Sequence, residues 1–430
     1  MIFGDRIYQD YIAILKEELM PAMGCTEPIA LAYAAALARE QLSAMPDRVK
    51  VEVSGNIIKN VKSVVVPNTG GMKGIASSVA AGIVAGDSDK VLEVISDVTD
   101  EQRVRIREFL RNVPIEIGGA SSQLVFDISI TVFSGECSAN VRLVNNHTNI
   151  CHMECNGSVL IDTEINEQPE DNLTDKSILN TADIVEFADM VRIEDIEPII
   201  SRQAEYNYAI ATEGMKSNYG GSVGQVIIDT MGNSVWNRVR AMAAAGSDAR
   251  MSGCELPVVI LSGSGNQGIT ASVPLIEYAK EIGASKEQLY RALVLSDLLT
   301  VHQKASIGRL SAFCGAVSAG CAAGAGIAYL DGGKVEAVAH TIVNALAIIS
   351  GMVCDGAKAS CAGKIAASVE AGILGYNMYK CGREFRSGDG IVTKGVDKTI
   401  ANVGKLARDG MRQTDKELLR IMLYDVERTD

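Results

Sequence analysis

From about Asn180 to its end this 430-residue chain reads as one helical run after another, and the faces on which those helices would meet carry glycine and alanine. Small residues let helix backbones approach closely, so the pattern demands a tight helical body packed around a centre. With 41 glycines and a single tryptophan in the chain, bulky side chains do not supply that centre. Three cysteines stand in the same half: Cys314 in Ser311-Ala-Phe-Cys-Gly, and Cys354 and Cys361 in Gly351-Met-Val-Cys-Asp-Gly-Ala-Lys-Ala-Ser-Cys-Ala-Gly363.

Their spacing matches neither the Cys-x-x-Cys knuckles of structural zinc nor the Cys-x-x-Cys-x-x-Cys run of ferredoxin-type carriers. A [4Fe-4S] cluster held by thiolates from separate loops is consistent with it. Three protein ligands would leave one iron open to substrate as a Lewis acid. The competing reading is three reduced cysteines packed as small hydrophobic residues, since free cysteine is among the most buried residue types.

A formal charge of −13 argues against nucleic acid and against anionic membrane surfaces, both of which call for basic patches. Ten cysteines behind an N-terminus without a secretory signal imply a reducing compartment. The longest uncharged runs, such as Leu310 to Leu330, are too rich in alanine and glycine to read as membrane spans. The expectation is a soluble, cytoplasmic protein that acts on a small molecule, with a homo-oligomer left open.

Apolar residues at helical spacing over 6–22 end near Pro21, and a second helix is expected from Thr26 to Glu40. Alternation then takes over at Val49, Val51 and Val53 and again at Val61 to Val66, with Gly55-Asn56 as the turn between them. A helix over 74–85 and strands over 124–133, 139–145 and 150–161 complete an open sheet. The acids, asparagine and proline of 162–175 read as a linker. The fold class is therefore α+β: N-terminal helices (1–44) at an interface, a small open-sheet α+β domain (45–170), and a larger, mostly helical domain (171–430) carrying the cysteine ligands. Leu256 to Ser262 is the one strand-like interruption in that last part.

Cys25 is the notable residue outside the central stretch. In Gly24-Cys-Thr-Glu-Pro28, Thr26 can cap a helix and Pro28 suits its first turn, which puts Cys25 at the positive end of a helix dipole, where a thiolate is favoured. It could be a proton acceptor, a nucleophile, an iron ligand, or a small residue chosen for fit. Gly263-Ser-Gly-Asn-Gln-Gly268 follows a strand-like run and matches G-x-G-x-x-G, but no second parallel strand follows. A modest reading remains, with Ser264, Gly265 and Asn266 offering backbone N–H groups to a small anion such as a carboxylate. Asn68, Thr69 and Gly70, in a second glycine-rich loop, are similar candidates for holding a substrate's carboxylate or amino group. Each loop reads equally as a turn that needs glycine. Cys137, Cys151 and Cys155, near His147 and His152, read as structural, as does His302, and Cys254, Cys321 and Cys381 have no partner at metal-ligand spacing.

The run from Ala305-Ser-Ile-Gly through Phe313-Cys-Gly-Ala and Gly320-Cys-Ala-Ala to Gly351-Met-Val-Cys-Asp-Gly and Cys361 resembles the alpha-chain region of iron–sulfur L-serine dehydratases. Met23-Gly-Cys-Thr-Glu-Pro28 and Gly388-Asp-Gly-Ile-Val-Thr-Lys-Gly-Val-Asp-Lys-Thr399 resemble more closely the L-cysteine desulfidase family, of the uncharacterised YhaM type. The resemblance implies a [4Fe-4S] lyase independent of pyridoxal phosphate, converting L-cysteine and water to pyruvate, ammonia and hydrogen sulfide. It implies Cys314, Cys354 and Cys361 as cluster ligands and Cys25 as catalytic proton acceptor, with a ligand role for Cys25 left open. The chain lacks the C-terminal cysteine that some of the dehydratases supply to the fourth iron. Two rivals stand beside this reading: an L-serine dehydratase, and a non-enzymatic iron–sulfur or thiol sensor.

Overall fold

The computed structural model describes residues 5–62, 64–122, 124–165, 173–308 and 311–424. Helix α1 (Arg6–Glu18) starts where the Asp5 carboxylate accepts the Tyr8 N–H at 2.8 Å. It leads into a short strand, β1 (Met20–Met23), because Pro21 cannot continue a helix and forces its predecessor into extended backbone. Helix α2 (Thr26–Leu42) is buried over most of its surface. Then follow β2 (Arg48–Val53), α3 (Gly55–Val61), α4 (Gly74–Ala85) and α5 (Asp100–Asn112), the last closed by a capping box of Thr99 and Gln102. Strands β3 (Ile115–Gly119), β4 (Asp127–Ser134), β5 (Cys137–Val144), β6 (Ile150–Cys155) and β7 (Ser158–Asp162) complete the sheet.

The six strands are ordered β3-β2-β4-β5-β6-β7, with β2 and β3 parallel and every other pair antiparallel. The register sets Val49, Val51 and Val53 opposite Val132, Ile130 and Ile128, so one face is wholly apolar and buried. Helix α2 covers that face, and α4 packs on α2 so closely that a Cβ on Gly82 would lie 2.1 Å from the Ala32 carbonyl oxygen. The other face carries polar residues, with the Arg142–Asp127 ion pair at 2.7 Å.

The helical body contains α6 (Thr181–Met190), α7 (Ile193–Lys216), α8 (Val223–Met231), α9 (Val235–Met251), the strand β8 (Pro257–Ile260), α10 (Gly265–Ile282), α11 (Lys286–Ile307), α12 (Gly315–Leu330), α13 (Val335–Ile349), α14 (Cys361–Lys380), α15 (Val396–Lys405) and α16 (Arg412–Tyr424). Small residues act as the sequence implied: a Cβ on Gly324 of α12 would stand 2.5 Å from the Gly372 backbone of α14, and one on Gly214 of α7 2.0 Å from the Ala245 oxygen of α9. Strand β1 pairs antiparallel with β8, Met20 opposite Ile260 and Met23 opposite Pro257. This stitch fixes the start of α2 beside the start of α10. Among the described residues no helix is long and apolar enough to cross a membrane.

The fold is α+β, with a small open sheet and a larger helical region. Details differ from the sequence reading. Gly55-Asn56 opens helix α3 rather than a turn between strands, and Val61 to Val66 is a helix end and a loop with one bridge, Val65 to Lys73. Val61, Val64 and Val66 are all buried there, and a short valine-rich run interrupted by Lys62 and Ser63 suits either conformation. The single strand over 150–161 is a hairpin, turned at Asn156 and Gly157, both with positive φ. Helix α5 and strand β3 were not foreseen, and residues 166–172 of the expected linker lie outside the described residues.

Two substitutions separate close packing from simple helix propensity. Gly324→Ala should destabilise by about 1–3 kcal/mol in urea unfolding because the backbones must part. Gly363→Ala, on an exposed part of α14 with nothing within 4 Å of its Cβ position, should stabilise by up to about 1 kcal/mol.

A buried acid gives a pH prediction. Asp297 of α11 accepts a hydrogen bond from Gln203 Nε2 at 2.8 Å, and burial pushes its carboxyl up to about 8, an effect the Gln203 bond only partly opposes. A carboxyl whose folded value exceeds its unfolded one, near 4, binds its proton more tightly when folded. It therefore costs the fold stability as pH climbs through that interval. Asp297→Asn should melt increasingly above the wild-type chain as pH is raised from 5 to 9, read as the difference in Tm at each pH.

Candidate active site

Four helices begin at one cleft. Cys25 precedes the first turn of α2, Ser264 that of α10 and Cys314 that of α12, while Cys361 is the first residue of α14. All four line a cleft enclosing about 820 Å³ including its open mouth. Each helix start contributes unpaired N–H groups and the positive end of its dipole, so the cleft favours anions.

Cys314 and Cys354 are brought together by a short antiparallel contact bridging Phe313 and Val353. Cys314 N–H donates to the Met352 oxygen at 3.1 Å and Cys354 N–H to the Ala312 oxygen at 2.7 Å. The two cysteines flank the bridged pair, so both side chains leave on one face. They behave as a pair holding one proton. The hydrogen bond from Cys314, aided by the Gly356 N–H, Lys59 and Lys364, holds the Cys354 thiol below its ordinary range against the pull of burial. That same bond, with burial, raises Cys314. Cys361 joins them from α14, raised by burial, with the Lys358 N–H 3.5 Å from its sulfur. Among the described residues no three histidine, cysteine or carboxylate side chains are grouped to hold a single bare metal ion.

Cys25 lines the same cleft, in a small apolar patch with Val64 and Met251 against which Cys361 packs. The sequence favoured a thiolate there, and the structure holds a thiol. Burial raises Cys25, and the Glu27 carboxylate, which accepts from its sulfur at 3.2 Å, raises it further, outweighing Arg250. Glu27 is the residue that the sequence reading left unassigned. Burial pushes its carboxyl up, yet His147, the Cys25 hydrogen bond, its own backbone amide and Arg250 outweigh that and leave it lowered. Thr26 Oγ1 at 3.1 Å and Asn60 Nδ2 at 2.8 Å also donate to it. His147 reaches this group from the connection between β5 and β6, its ring edge-on to Phe126 at 4.9 Å.

The glycine-rich turn after β8 has a structural account at each glycine. Ser262 and Gly263 take positive φ in a tight turn closed between Leu261 and Ser264. Gly265 leaves room for the Arg250 guanidinium, whose Nε would meet a Cβ there at 2.3 Å, and Gly268 lets α10 lie on the Val259 oxygen. Ser264 and Asn266 line the cleft, and Gly265 lies behind Arg250. Asn68, Thr69 and Gly70 do not line it. The Asn68 amide donates to the Ile95 and Ser96 oxygens, tying the loop to that segment, and the Thr69 hydroxyl donates to the Val66 oxygen within the loop, so both side chains are spent on structure.

Lys59, Arg250 and Lys304 line the cleft as cations that no sequence motif announced. Lys59, 2% exposed, is held by Asp415 of α16 at 2.6 Å. The remaining thiols and histidines stand apart: Cys151 donates to the Arg142 oxygen, Cys155 to the Gln41 oxygen, and His302 pairs with Asp397 at 2.9 Å.

An open-sheet α+β chain with a thiol-lined, cationic cleft at the meeting of four helix starts is the class these observations define. The family model for the serine dehydratase alpha chain matches residues 89–420, which include Arg250 and the three central cysteines and exclude Cys25 and Glu27. The chain is 60% identical to a UPF0597 protein of Desulfitobacterium hafniense over 419 residues, 97% of each chain. It is 49% identical to one of Lachnoclostridium phytofermentans, over 97% of this chain and 100% of that one, and 44% to one of Treponema denticola, over 97% and 98%. The chain belongs to the serine dehydratase alpha chain family.

The shared proton predicts which cleft thiol reacts first. In metal-free protein, iodoacetamide should modify Cys354 ahead of Cys314, Cys361 and Cys25, with a rate midpoint on the pH axis below that of an ordinary thiol near 8.5. Peptide mapping after brief labelling at pH 6 to 9 reads the order.

Proposed function

We propose that the chain is a β-eliminating lyase, independent of pyridoxal phosphate, that converts L-cysteine to pyruvate, ammonia and hydrogen sulfide. The observation that carries this reading is the single cleft in which Cys314, Cys354 and Cys361 meet while Cys25 and Glu27 face them as a hydrogen-bonded acid–base pair.

The donor set fits a [4Fe-4S] cluster. Three soft thiols from separate elements suit one thiolate per iron, and the helix starts and Lys364 around them favour the sulfur anions. Cys314, Cys354 and Cys361 would hold the group, which supplies a Lewis-acidic iron when bound. Cys25 takes the substrate's α-proton as its sulfur passes its own proton toward Glu27 Oε2, 3.2 Å away. Hydrosulfide leaves the β-carbon as the α-carbon electrons form the double bond of aminoacrylate. That product tautomerises to an imine and takes up water to give pyruvate and ammonia.

The family match favours a second reading on the same residues, L-serine dehydration, in which water leaves in place of hydrogen sulfide. Anaerobic protein, reconstituted with iron and sulfide, should be brown and release pyruvate from L-cysteine faster than from L-serine. The opposite order would give the second reading, and a colourless, inactive product would remove both. Cys25→Ser should keep the chromophore while kcat falls by about 10²–10⁴. Loss of the chromophore instead would make Cys25 a ligand.

A further inference from the structure

Among the described residues that line the cleft, three buried polar side-chain atoms have no partner, the donor Arg250 Nε and the acceptors Asn60 Oδ1 and Gln267 Oε1, and the first two stand on either side of Glu27's interactions. The donor is Nε of Arg250, a side chain 3% exposed, held against Gly265 at the first turn of α10. Its Nη1 donates to Asn266 Oδ1 at 3.1 Å, so one edge of the guanidinium is anchored. The acceptor beside Glu27 is Oδ1 of Asn60, a side chain 6% exposed. Asn60 Nδ2 donates to Glu27 Oε1 at 2.8 Å, and that bond fixes which end of the amide is oxygen.

Each orphan destabilises the free protein, a penalty that a ligand of the right charge would relieve. A guanidinium at a helix start matches a carboxylate. An amide oxygen next to Glu27, the one carboxylate among the described residues that line the cleft, matches an ammonium group. An α-amino acid carries those two charges on one carbon, and Glu27 links the two poles: it accepts from Asn60 Nδ2 at 2.8 Å and is lowered by the charge of Arg250.

We infer that the cleft recognises both charges of one free α-amino acid, Arg250 binding the carboxylate and Asn60 Oδ1, beside Glu27, binding the ammonium. This rests on the lyase reading of the cleft and adds the residues that select the substrate class, excluding simple thiols, esters, amides and peptides blocked at either end. Neither residue carries a signal in the sequence: Arg250 ends a helix, and Asn60 lies in a run that read as turn and strand.

Calorimetry on the anaerobic full-length protein, before and after cluster reconstitution, tests it with three small probes that cannot eliminate. L-alanine has both charges, propionate only the carboxylate and L-alaninamide only the ammonium. L-alanine should bind at least tenfold more tightly than either fragment, a comparison that needs no variant. Arg250→Met should weaken L-alanine at least tenfold and leave L-alaninamide unchanged. Arg250→Lys should recover part of the loss, and Asn60→Leu should weaken L-alanine and L-alaninamide alike. Melting curves show that each variant is folded. A fragment that matches L-alanine, no L-alanine binding, or an Arg250→Met protein that binds L-alanine normally would overturn the inference. Pyruvate release from L-cysteine or L-serine with affinities unchanged in both variants would overturn it and leave the lyase standing. Tight, charge-dependent L-alanine binding without turnover would do the reverse.

Discussion

The starts of α2, α10, α12 and α14 converge on one small volume, and much of the architecture follows from that crowding. Of these helices, α12 packs along both α10 and α14, closely where glycines and alanines lie, whereas α2 packs on α4 and the sheet. The convergence concentrates positive potential where the protein places sulfur and a carboxylate. A site built this way attracts anions before any charged side chain is counted, and Lys59, Arg250 and Lys304 add to it.

The sheet does more than cover a helix. Its apolar face seats α2, the β1–β8 pair fixes the angle at which α2 enters, and the connection between β5 and β6 delivers His147 beside Glu27. Glu27 is thereby held as a carboxylate in a place where burial alone would protonate it, and it keeps Cys25 a hydrogen-bond donor. The donors to this buried acid, Cys25, Thr26 and Asn60, come from the N-terminal part of the chain, and Arg250 of the helical body acts on it through its charge. In electrostatic terms the two parts of the chain share a single site.

Reading the fold from the chain went furthest where the pattern was strong and local. The small-residue helices after Asn180, the alternation at Val49 to Val53, and helix α2 behind Thr26 all stand in the structure. Reading failed where local signals competed. The valine-rich run Val61 to Val66, broken by Lys62 and Ser63, fits helix, loop or strand, and the Asn156-Gly157 turn was hidden inside a longer strand-like segment. The glycine-rich loops were legible as turns, but not which of them faces a cleft: the Asn68 to Gly70 loop closes on its own neighbourhood, whereas the Ser264 turn lies at the cleft wall.

By itself the sequence determined the α+β class, the helical body of close-packed small residues and the presence of one thiol, Cys25, at a predicted helix start, because propensity, periodicity and capping are properties of neighbouring residues. Only the tertiary structure decided that Cys25, Cys314, Cys354 and Cys361 share one cleft, that Cys25 rests as a thiol, and that Glu27, Asn60 and Arg250 belong beside it. Those facts depend on desolvation and on charges separated by scores to hundreds of residues along the chain, and folding alone sets the distances between them.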